Sequence, residues 1–231
     1  MQKSTNLPWT IKYAPYVLKD LSGQDKGVNR LKEFVLNFRN EKKKAMLLYG
    51  PMGAGKTSSV TALAQELDME LVEVNASDFR NSANIESIVG GSIKQMSLFM
   101  KKKIILVDEI DGVAGQQDRG GLAALSKLIK TSAFPVIMTA NNPYDKKFST
   151  LRKLSEMVEF HGLSYVSIAN VLKKIVEKEG INIDEGTLKT VARRAGGDLR
   201  GAITDLQVLA TEKKIQRDDT EDVGERSQEE S

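Results

Sequence analysis

A glycine-rich stretch with one lysine and one threonine is the clearest chemical feature of the sequence. Residues 47–60 read LLYGPMGAGKTSSV, in which Gly50, Gly55, Lys56 and Thr57 satisfy the pattern of a glycine, four residues, a glycine, a lysine and a serine or threonine. Such glycines let backbone N–H groups converge on phosphate oxygens, while the lysine neutralises phosphate charge and the threonine hydroxyl can coordinate Mg²⁺. The pattern predicts a nucleotide site; the alternative is a glycine-rich turn between a strand and a helix. The loop residues predicted to bind nucleotide are Gly50, Pro51, Met52, Gly53, Ala54, Gly55, Lys56, Thr57 and Ser58.

Two adjacent acids supply the second half of the predicted chemistry. In KKIILVDEID four apolar residues precede Asp108 and Glu109, which places these acids where a buried strand ends. In open α/β sheets ligands bind at that edge. Asp108 is predicted to bind Mg²⁺ together with Thr57, and Glu109 to activate the attacking water. The alternative is an ordinary strand end with solvated carboxylates.

The elements that position these residues form an α/β pattern. Short apolar runs, AMLLYG, ELVEVN, KIILVDEI and FPVIMTA, alternate with segments long enough for crossover helices. This predicts a parallel sheet flanked by helices. Beyond about residue 160 only helical periodicity remains, with Gly180 as a helix stop and Asp184 as a cap. The predicted domains are an α/β nucleotide-binding domain (1–162), an all-helical lid (163–213) and an acidic, disordered tail or linker (214–231).

Composition restricts the class of protein. The 231 residues include no cysteine and one histidine, His161, which excludes disulfides and disfavours zinc. No signal peptide or membrane span is apparent, so a cytoplasmic protein without membrane contact is expected. The tail carries seven acids and three bases, leaving 31 basic and 24 acidic residues elsewhere. This excess suits a polyanionic partner, although solvated helix faces give similar totals.

The loop, the acids and two further polar residues together resemble the AAA+ ATPases. The strand FPVIMTANN ends in Asn141 and Asn142, and GGDLRGAITDLQ begins a helix. The resemblance implies that Asn141 is sensor 1, which helps position the water, and that Arg200 is sensor 2, which reaches the γ-phosphate. A turn residue before Pro143 and a solvated helix residue are the respective alternatives.

Four further boxes narrow the resemblance to clamp loaders. WTIKYAP (9–15), LSGQDKGVNRLKEF (21–34), VEVNASDFRN (72–81) and DEIDGVAGQQDRGGLAAL (108–125) are similar to boxes of the archaeal replication factor C large subunits and occur in the same order. Tyr13 and Pro15 join the loop as predicted nucleotide contacts. The resemblance implies a Mg²⁺-dependent ATPase subunit that, in a hetero-oligomer with small subunits, opens a sliding clamp and loads it onto primer-template DNA in a prokaryotic, nucleoid-associated setting.

One departure from the pattern of small clamp-loader subunits concerns the arginine finger. Those subunits carry an SRC motif before the last strand of this domain, whereas this chain reads RKLSEMVEF, with Leu154 at the place of the arginine. The chain is therefore expected to receive a finger from a neighbour, and to hydrolyse ATP slowly alone. A shifted substitute, Arg152 or Lys153, is left open.

Contacts with DNA and the clamp are expected in one region of the chain. The resemblance implies backbone-phosphate contacts near the helix after NASD, for which Arg80, Asn84 and Lys94 are candidates; a solvated helix residue is the alternative for Lys94. Apolar residues in the same region are clamp-contact candidates or core residues: Met96, Leu98, Phe99 and Met100. Competing functions are an origin-binding or branch-migration ATPase and a nucleotide-gated scaffold without turnover.

Overall fold

The computed structural model describes residues 7–75, 102–112 and 119–210. These form two compact units. One, here called the sheet unit, contains described residues in 16–50 and 56–160; the other, the helical unit, contains 7–15, 51–55 and 161–210. The DNA and clamp candidates between 80 and 100, and the tail after 213, lie outside the described residues. The domain boundaries given above stay predictions.

The sheet unit is built around five parallel strands. They lie in the order β2-β3-β4-β1-β5, with every pairing parallel. The strands are β1 (Ala45–Tyr49), β2 (Glu70–Asn75), β3 (Lys103–Asp108), β4 (Val136–Ala140) and β5 (Ser155–Glu159). The helices of this unit are α2 (Asp25–Leu36), α3 (Lys56–Glu66), α4 (Arg119–Thr131) and α5 (Ser149–Leu154). The predicted parallel α/β fold is confirmed.

Helices cover both faces of the sheet, which explains why its central strands are almost entirely apolar. On one face, Leu125 and Ile129 of α4 and Leu151 of α5 pack in a cluster with alternate residues of β1, β3 and β4. The intervening residues, such as Met46 and Leu106, are also fully buried. Helix α3 contacts β2, β3 and β4, and α2 contacts α3 and β5.

The helical unit has its own core. Its helices are α1 (Trp9–Lys12), α6 (Tyr165–Glu179), α7 (Glu185–Arg194) and α8 (Leu199–Ala210). Trp9 is buried there among residues such as Leu172, Leu188 and Leu206. Gly180 ends α6 in the left-handed conformation, at φ 66°, and the Asp184 side chain accepts the N–H of Thr187 to cap α7, so both predicted helix boundaries are confirmed.

The N-terminal WTIKYAP segment folds against these helices. The N–H of Trp9 donates to Oε1 of Gln207 at 2.8 Å. Lys12 Nζ and the Tyr13 hydroxyl both donate to Oε1 of Glu179, at 2.6 and 2.5 Å. The segment is thereby fixed to α6 and α8.

Candidate nucleotide-binding site

The phosphate loop leaves β1 through a position that only glycine can occupy. Gly50 has φ +142°, and a Cβ there would lie 1.8 Å from the carbonyl oxygen of Phe160. The N–H of Gly50 donates to the Ala140 carbonyl, and the N–H of Phe160 donates to the Tyr49 carbonyl. The exit of β1 is therefore held by the end of β4 on one side and by the chain following β5 on the other.

Lys56 begins α3 and is buried, with 9% of its surface exposed. Its ammonium donates to the Gly50 carbonyl at 2.7 Å and to Oδ1 of Asn141 at 3.1 Å. A buried ammonium requires such acceptors, and a phosphate oxygen would offer it a charged one. The structure thus brings together the predicted phosphate lysine and the predicted sensor asparagine.

Thr57, the next residue, faces the acid-bearing strand. Its hydroxyl donates to Oδ1 of Asp108 at 2.8 Å. The Thr139 hydroxyl of β4 donates to the same oxygen at 2.6 Å. β4 lies between β1 and β3 in the sheet, so the loop and the acid meet at the carboxyl edge of three neighbouring strands.

Glu109 has a left-handed backbone, with φ 53°. Its N–H donates to the Thr139 hydroxyl oxygen at 2.8 Å, and its side chain is exposed. Non-glycine residues in this conformation carry strain that surrounding contacts must hold, and such strain clusters at functional sites. Here Thr139 holds Asp108 and Glu109 together, so that one hydroxyl fixes the placement of both predicted acids.

Asp111 holds the backbone that follows β4 in a similar way. Its Oδ2 accepts the N–H of Asn141 in a short hydrogen bond, and its Oδ1 accepts the N–H of Asn142 at 3.4 Å. The backbone carrying the Asn141 amide is therefore tied to the turn after Glu109. Sequence reasoning missed both Asp111 and Thr139. The available signals were the third acid in DEID and the single polar residue within the buried strand VIMTA.

The oxygen atoms of Thr57 and Asp108 fit a hard divalent cation. Hydroxyl and carboxylate oxygens are the ligands that Mg²⁺ prefers, and Mg²⁺ usually keeps several waters alongside one or two carboxylates. Within residues 7–75, 102–112 and 119–210 there is no cluster of three or more histidines and acids that could hold a metal by itself. A site with few protein ligands is what the donor set supports.

Other predicted nucleotide contacts belong to the helical unit. Tyr13 is half-buried, and its hydroxyl donates a hydrogen bond to Glu179. Pro15, two residues later, is also half-buried. The loop residues 51–55 also group with this unit. Arg200 is exposed in the first turn of α8. Ser58, in α3 of the sheet unit, is half-buried. The roles given to these residues stay predictions.

The residue at the finger position is part of the sheet unit's packing. Leu154 is half-buried and packs against the core cluster. The neighbouring Arg152 donates to the carbonyls of Pro143 and Asp145, and its guanidinium lies 6.0 Å from the ring centre of Tyr144. Arg152 therefore stabilises the turn after Asn141, whereas Lys153 is exposed.

Two tyrosines brace the same turn. The Tyr144 hydroxyl donates to that of Tyr49 at 3.2 Å, and their rings meet edge to face. The hydrogen bond with Tyr144, burial and the carboxylate of Glu159 raise the pKa of Tyr49. Both the turn and the end of β1 are thus fixed by neutral aromatic contacts at the edge where the loop begins.

The family follows from a comparison with known families. Residues 46–164 match the ATPase family associated with various cellular activities (AAA). The chain belongs to the AAA family. Residues 170–211 further match the RCF1/5-like AAA+ ATPase lid domain. Membership of the AAA family implies nucleotide binding.

Curated relatives of this AAA chain carry a more specific name. The chain is 48% identical to the replication factor C large subunit of Nanoarchaeum equitans over 97% of its own length and 52% of the relative's. It is 45% identical to the replication factor C large subunit of Staphylothermus marinus, over 88% of this chain and 49% of the relative. It is 43% identical to the large subunit of Aeropyrum pernix, over 90% of this chain and 44% of the relative. The chain thus spans about half the length of these relatives.

Solved structures show the same fold at low identity. The Thermotoga maritima RuvB Holliday junction branch migration motor aligns with a TM-score of 0.66 at 18% identity, covering 89% of this chain and 70% of that one. A mutant of Thermotoga maritima RuvB aligns with a TM-score of 0.67 at 18% identity, covering 90% of this chain and 70% of the mutant's chain. At this identity the likeness concerns the fold alone. In the part of the chain that the structure describes, no helix has the length and apolarity needed to cross a bilayer.

Proposed function

We propose that this chain is an ATP-binding and ATP-hydrolysing clamp-loader subunit, of the large-subunit type, that opens a sliding clamp and loads it onto primed DNA. The observation that carries the proposal is the meeting of Thr57 and Asp108, whose oxygen atoms lie 2.8 Å apart at the sheet edge where the phosphate loop begins. A loop that only turned the chain would not require this contact. The archaeal relatives support the clamp-loader assignment, and nothing in the geometry favours a scaffold without turnover.

Several residues of the chain have separate roles in the proposed ATP hydrolysis. Lys56 neutralises phosphate charge, Asn141 orients the attacking water, and Glu109 accepts its proton. When bound by Thr57 and Asp108, Mg²⁺ supplies charge stabilisation for the phosphate oxygens. Thr139 and Asp111 keep the acids and the asparagine in place through the hydrogen bonds described above.

Full activity in this proposal requires a neighbouring subunit. An arginine finger supplied in trans contributes roughly 10³ to 10⁵ in rate in related phosphoryl-transfer systems. Leu154 cannot stabilise transferred charge, and Arg152 is engaged with backbone carbonyls of its own turn. The chain is thus a receiver of a finger, with small subunits as its donors.

The proposed partners are the small subunits, a sliding clamp and primer-template DNA, in a cytoplasmic, nucleoid-associated assembly. The basic excess outside the tail suits the DNA backbone. Arg80, Asn84 and Lys94 remain the proposed DNA contacts. Assembly and clamp loading are part of the proposal, since the chain spans about half the length of its relatives.

The deciding experiment measures ATP binding and phosphate release by the chain alone, and by the chain together with small subunits, clamp and primer-template DNA. The chain alone should bind ATP and release phosphate slowly, and the assembly should accelerate release. Glu109→Gln should retain binding and lose turnover.

Each outcome bears on a separate part of the proposal. Absence of ATP binding by the wild type would overturn the nucleotide site. Fast turnover by the isolated chain would overturn the need for a finger, and unchanged turnover in Glu109→Gln would remove Glu109 from catalysis.

A further inference from the structure

An acidic residue of the helical unit touches the phosphate loop at its fourth position. Gly53 has φ +65°, and a Cβ built there would lie 1.8 Å from Oδ1 of Asp198, 2.6 Å from its Cγ and 2.9 Å from its Cα. The carboxylate therefore lies directly against the loop backbone. Position 53 requires glycine for two reasons, its left-handed conformation and the space that Asp198 occupies.

The same carboxylate starts helix α8. Oδ1 of Asp198 accepts the N–H of Gly201 at 2.9 Å, and the Asp198 carbonyl accepts the N–H of Ala202 at 3.0 Å. This is an N-cap, which satisfies a backbone donor that the helix itself cannot pair. A single oxygen thus contacts the phosphate loop and fixes the first turn of the helix that carries Arg200.

Two glycines bring the backbone close enough for this contact. Gly162 lies 3.7 Å from Pro51, measured from an added Cβ to Cγ, and a Cβ at Gly197 would lie 3.2 Å from the Cα of Gly162. The N–H of Leu163 donates to the Gly197 carbonyl at 3.2 Å. Gly162, Gly197 and Asp198 together form what we call the loop seat, which lies against Pro51 and Gly53 of the loop.

We propose that Asp198 is a positioning residue that links the phosphate loop to the first turn of α8, so that nucleotide held in the loop stabilises the helical unit through the loop seat. The inference rests on the proposed nucleotide site. A ligand that orders the loop fixes one side of the Gly53–Asp198 contact, and the N-cap transmits that restraint to α8. Coupling between two groups is reciprocal, so loss of the contact should also weaken nucleotide binding.

The chain provides its own reporter for the test. Trp9 is the sole tryptophan of the sequence and is buried in the helical-unit core, so its fluorescence follows the unfolding of that unit. The thermal midpoint from Trp9 fluorescence is measured with and without saturating Mg²⁺-ATP, and the ATP dissociation constant is measured for each variant.

Three substitutions separate the contact from the cap. Asp198→Ser keeps a good N-cap but is too short to retain the carboxylate contact with Gly53. Asp198→Asn keeps both cap and contact and is the conservative rescue. Asp184→Ser is the matched control, since Asp184 caps α7 in the same unit through Thr187.

The wild type and Asp198→Asn should show the same ATP-dependent rise in the midpoint. Asp198→Ser should lose most of that rise and weaken ATP binding about tenfold, within the usual range of coupling between sites. Asp184→Ser, which also keeps a good N-cap, should leave both the midpoint and its ATP-dependent rise close to the wild-type values. A full rise and unchanged affinity in Asp198→Ser would overturn the inference, while no binding by the wild type would instead overturn the nucleotide site.

Two further variants keep the test decisive if Asp198→Ser folds poorly. Asp198→Gly, which is also tolerated at an N-cap, should give the same loss of the ATP-dependent rise. Gly53→Ala should weaken ATP binding, and combining it with Asp198→Gly should recover part of that loss because the colliding carboxylate is gone. Strict additivity of the two changes would show that residues 53 and 198 are not coupled.

Discussion

The hydroxyl of Thr57 and Oδ1 of Asp108, 51 residues apart in the chain, lie 2.8 Å apart. Thr57 follows the phosphate loop after β1, and Asp108 is the last residue of β3. Their meeting converts two separate sequence patterns into one oxygen-lined site at the carboxyl edge of the sheet. Hydrolysis of ATP in the proposed mechanism depends on that site.

Asp108→Asn should separate metal binding from folding. The amide still accepts the Thr57 and Thr139 hydroxyls but lacks the charge that holds a divalent cation, so Mg²⁺-dependent hydrolysis should fall about 100-fold, the scale seen when one charge-stabilising group is lost. The measurement is the initial rate of phosphate release against Mg²⁺ concentration. Asp25→Asn, an exposed change in the first turn of α2, is the control. A wild-type Mg²⁺ profile in Asp108→Asn would remove the residue from the metal site.

Thr139→Val should act through the two acids. The substitution preserves shape but leaves the Glu109 N–H without its acceptor and Asp108 without one donor. We expect a fall in kcat of about 10- to 100-fold with a smaller change in KM, and a loss of about 1–3 kcal/mol in the free energy of unfolding. Thr139→Ser should restore both kcat and stability. If Thr139→Ser resembles Thr139→Val, the hydroxyl is not the cause.

The fold and half of this site were predictable because their signals are local. Apolar runs identified β1 to β4, whereas β5, which reads SEMVE, was placed only through the resemblance to clamp loaders. Asp184 and Gly180 marked a helix start and a helix end through their own backbone preferences. Lys56, Thr57 and Asp108 were identified by residue type and spacing. These features are encoded within a few residues of where they act.

The remaining features depend on contacts between distant segments. Thr139 reaches Asp108 because β3 and β4 pair in parallel with Val107 opposite Met138, a register that no short pattern reveals. The packing of Asp198 against Gly53 depends on tertiary folding in the same way. Tyr13 and Pro15 were assigned to nucleotide through the resemblance, and that role stays a prediction. In the structure the Tyr13 hydroxyl donates to Glu179, a contact between distant segments.

Glu109→Gly should stabilise the fold and abolish ATP turnover. The left-handed backbone at φ 53° costs a non-glycine residue roughly 1–3 kcal/mol, and glycine's added freedom in the unfolded chain offsets part of the relief. The variant should therefore gain about 1 kcal/mol in the free energy of unfolding while losing turnover. Urea denaturation followed by circular dichroism measures the gain. Glu109→Gln, which keeps the strained backbone, should lose turnover without that gain, and equal stability of the two variants would argue against strain.

Arg152→Ala should lower the stability and the ATP hydrolysis of this chain and leave hydrolysis by neighbouring subunits unchanged. Its guanidinium holds the carbonyls of Pro143 and Asp145, so removal should destabilise the turn after Asn141 by about 1–3 kcal/mol and lower the chain's own kcat. Lys153→Ala is the matched exposed control. In a mixed assembly, hydrolysis at the other subunits' ATP sites should stay at the wild-type rate. A selective loss there would identify Arg152 as a displaced finger.

Glu179→Gln should give the helical unit a distinct pH dependence. Burial alone would raise the pKa of Glu179, but hydrogen bonds from Lys12 and Tyr13 outweigh it and hold the pKa below its ordinary value. The same hydrogen bond raises the pKa of Lys12 above its ordinary value. A carboxyl whose pKa is lowered by folding adds stability at pH values above its pKa in the unfolded chain. A lysine whose pKa is raised by folding adds stability at pH values below its pKa in the unfolded chain. The wild type should therefore exceed Glu179→Gln in stability between about pH 5 and about pH 9.

That advantage should disappear as the pH falls through the folded pKa of Glu179, because the protonated carboxyl no longer attracts Lys12. It should also decline at the alkaline end as Lys12 loses its charge. The thermal midpoint from Trp9 fluorescence measures both limits, and Glu177→Gln, an exposed change on the same helix, should show no such window. A constant difference between wild type and Glu179→Gln from acid to alkaline pH would show that shape, and not charge, fixes the N-terminal segment to α6.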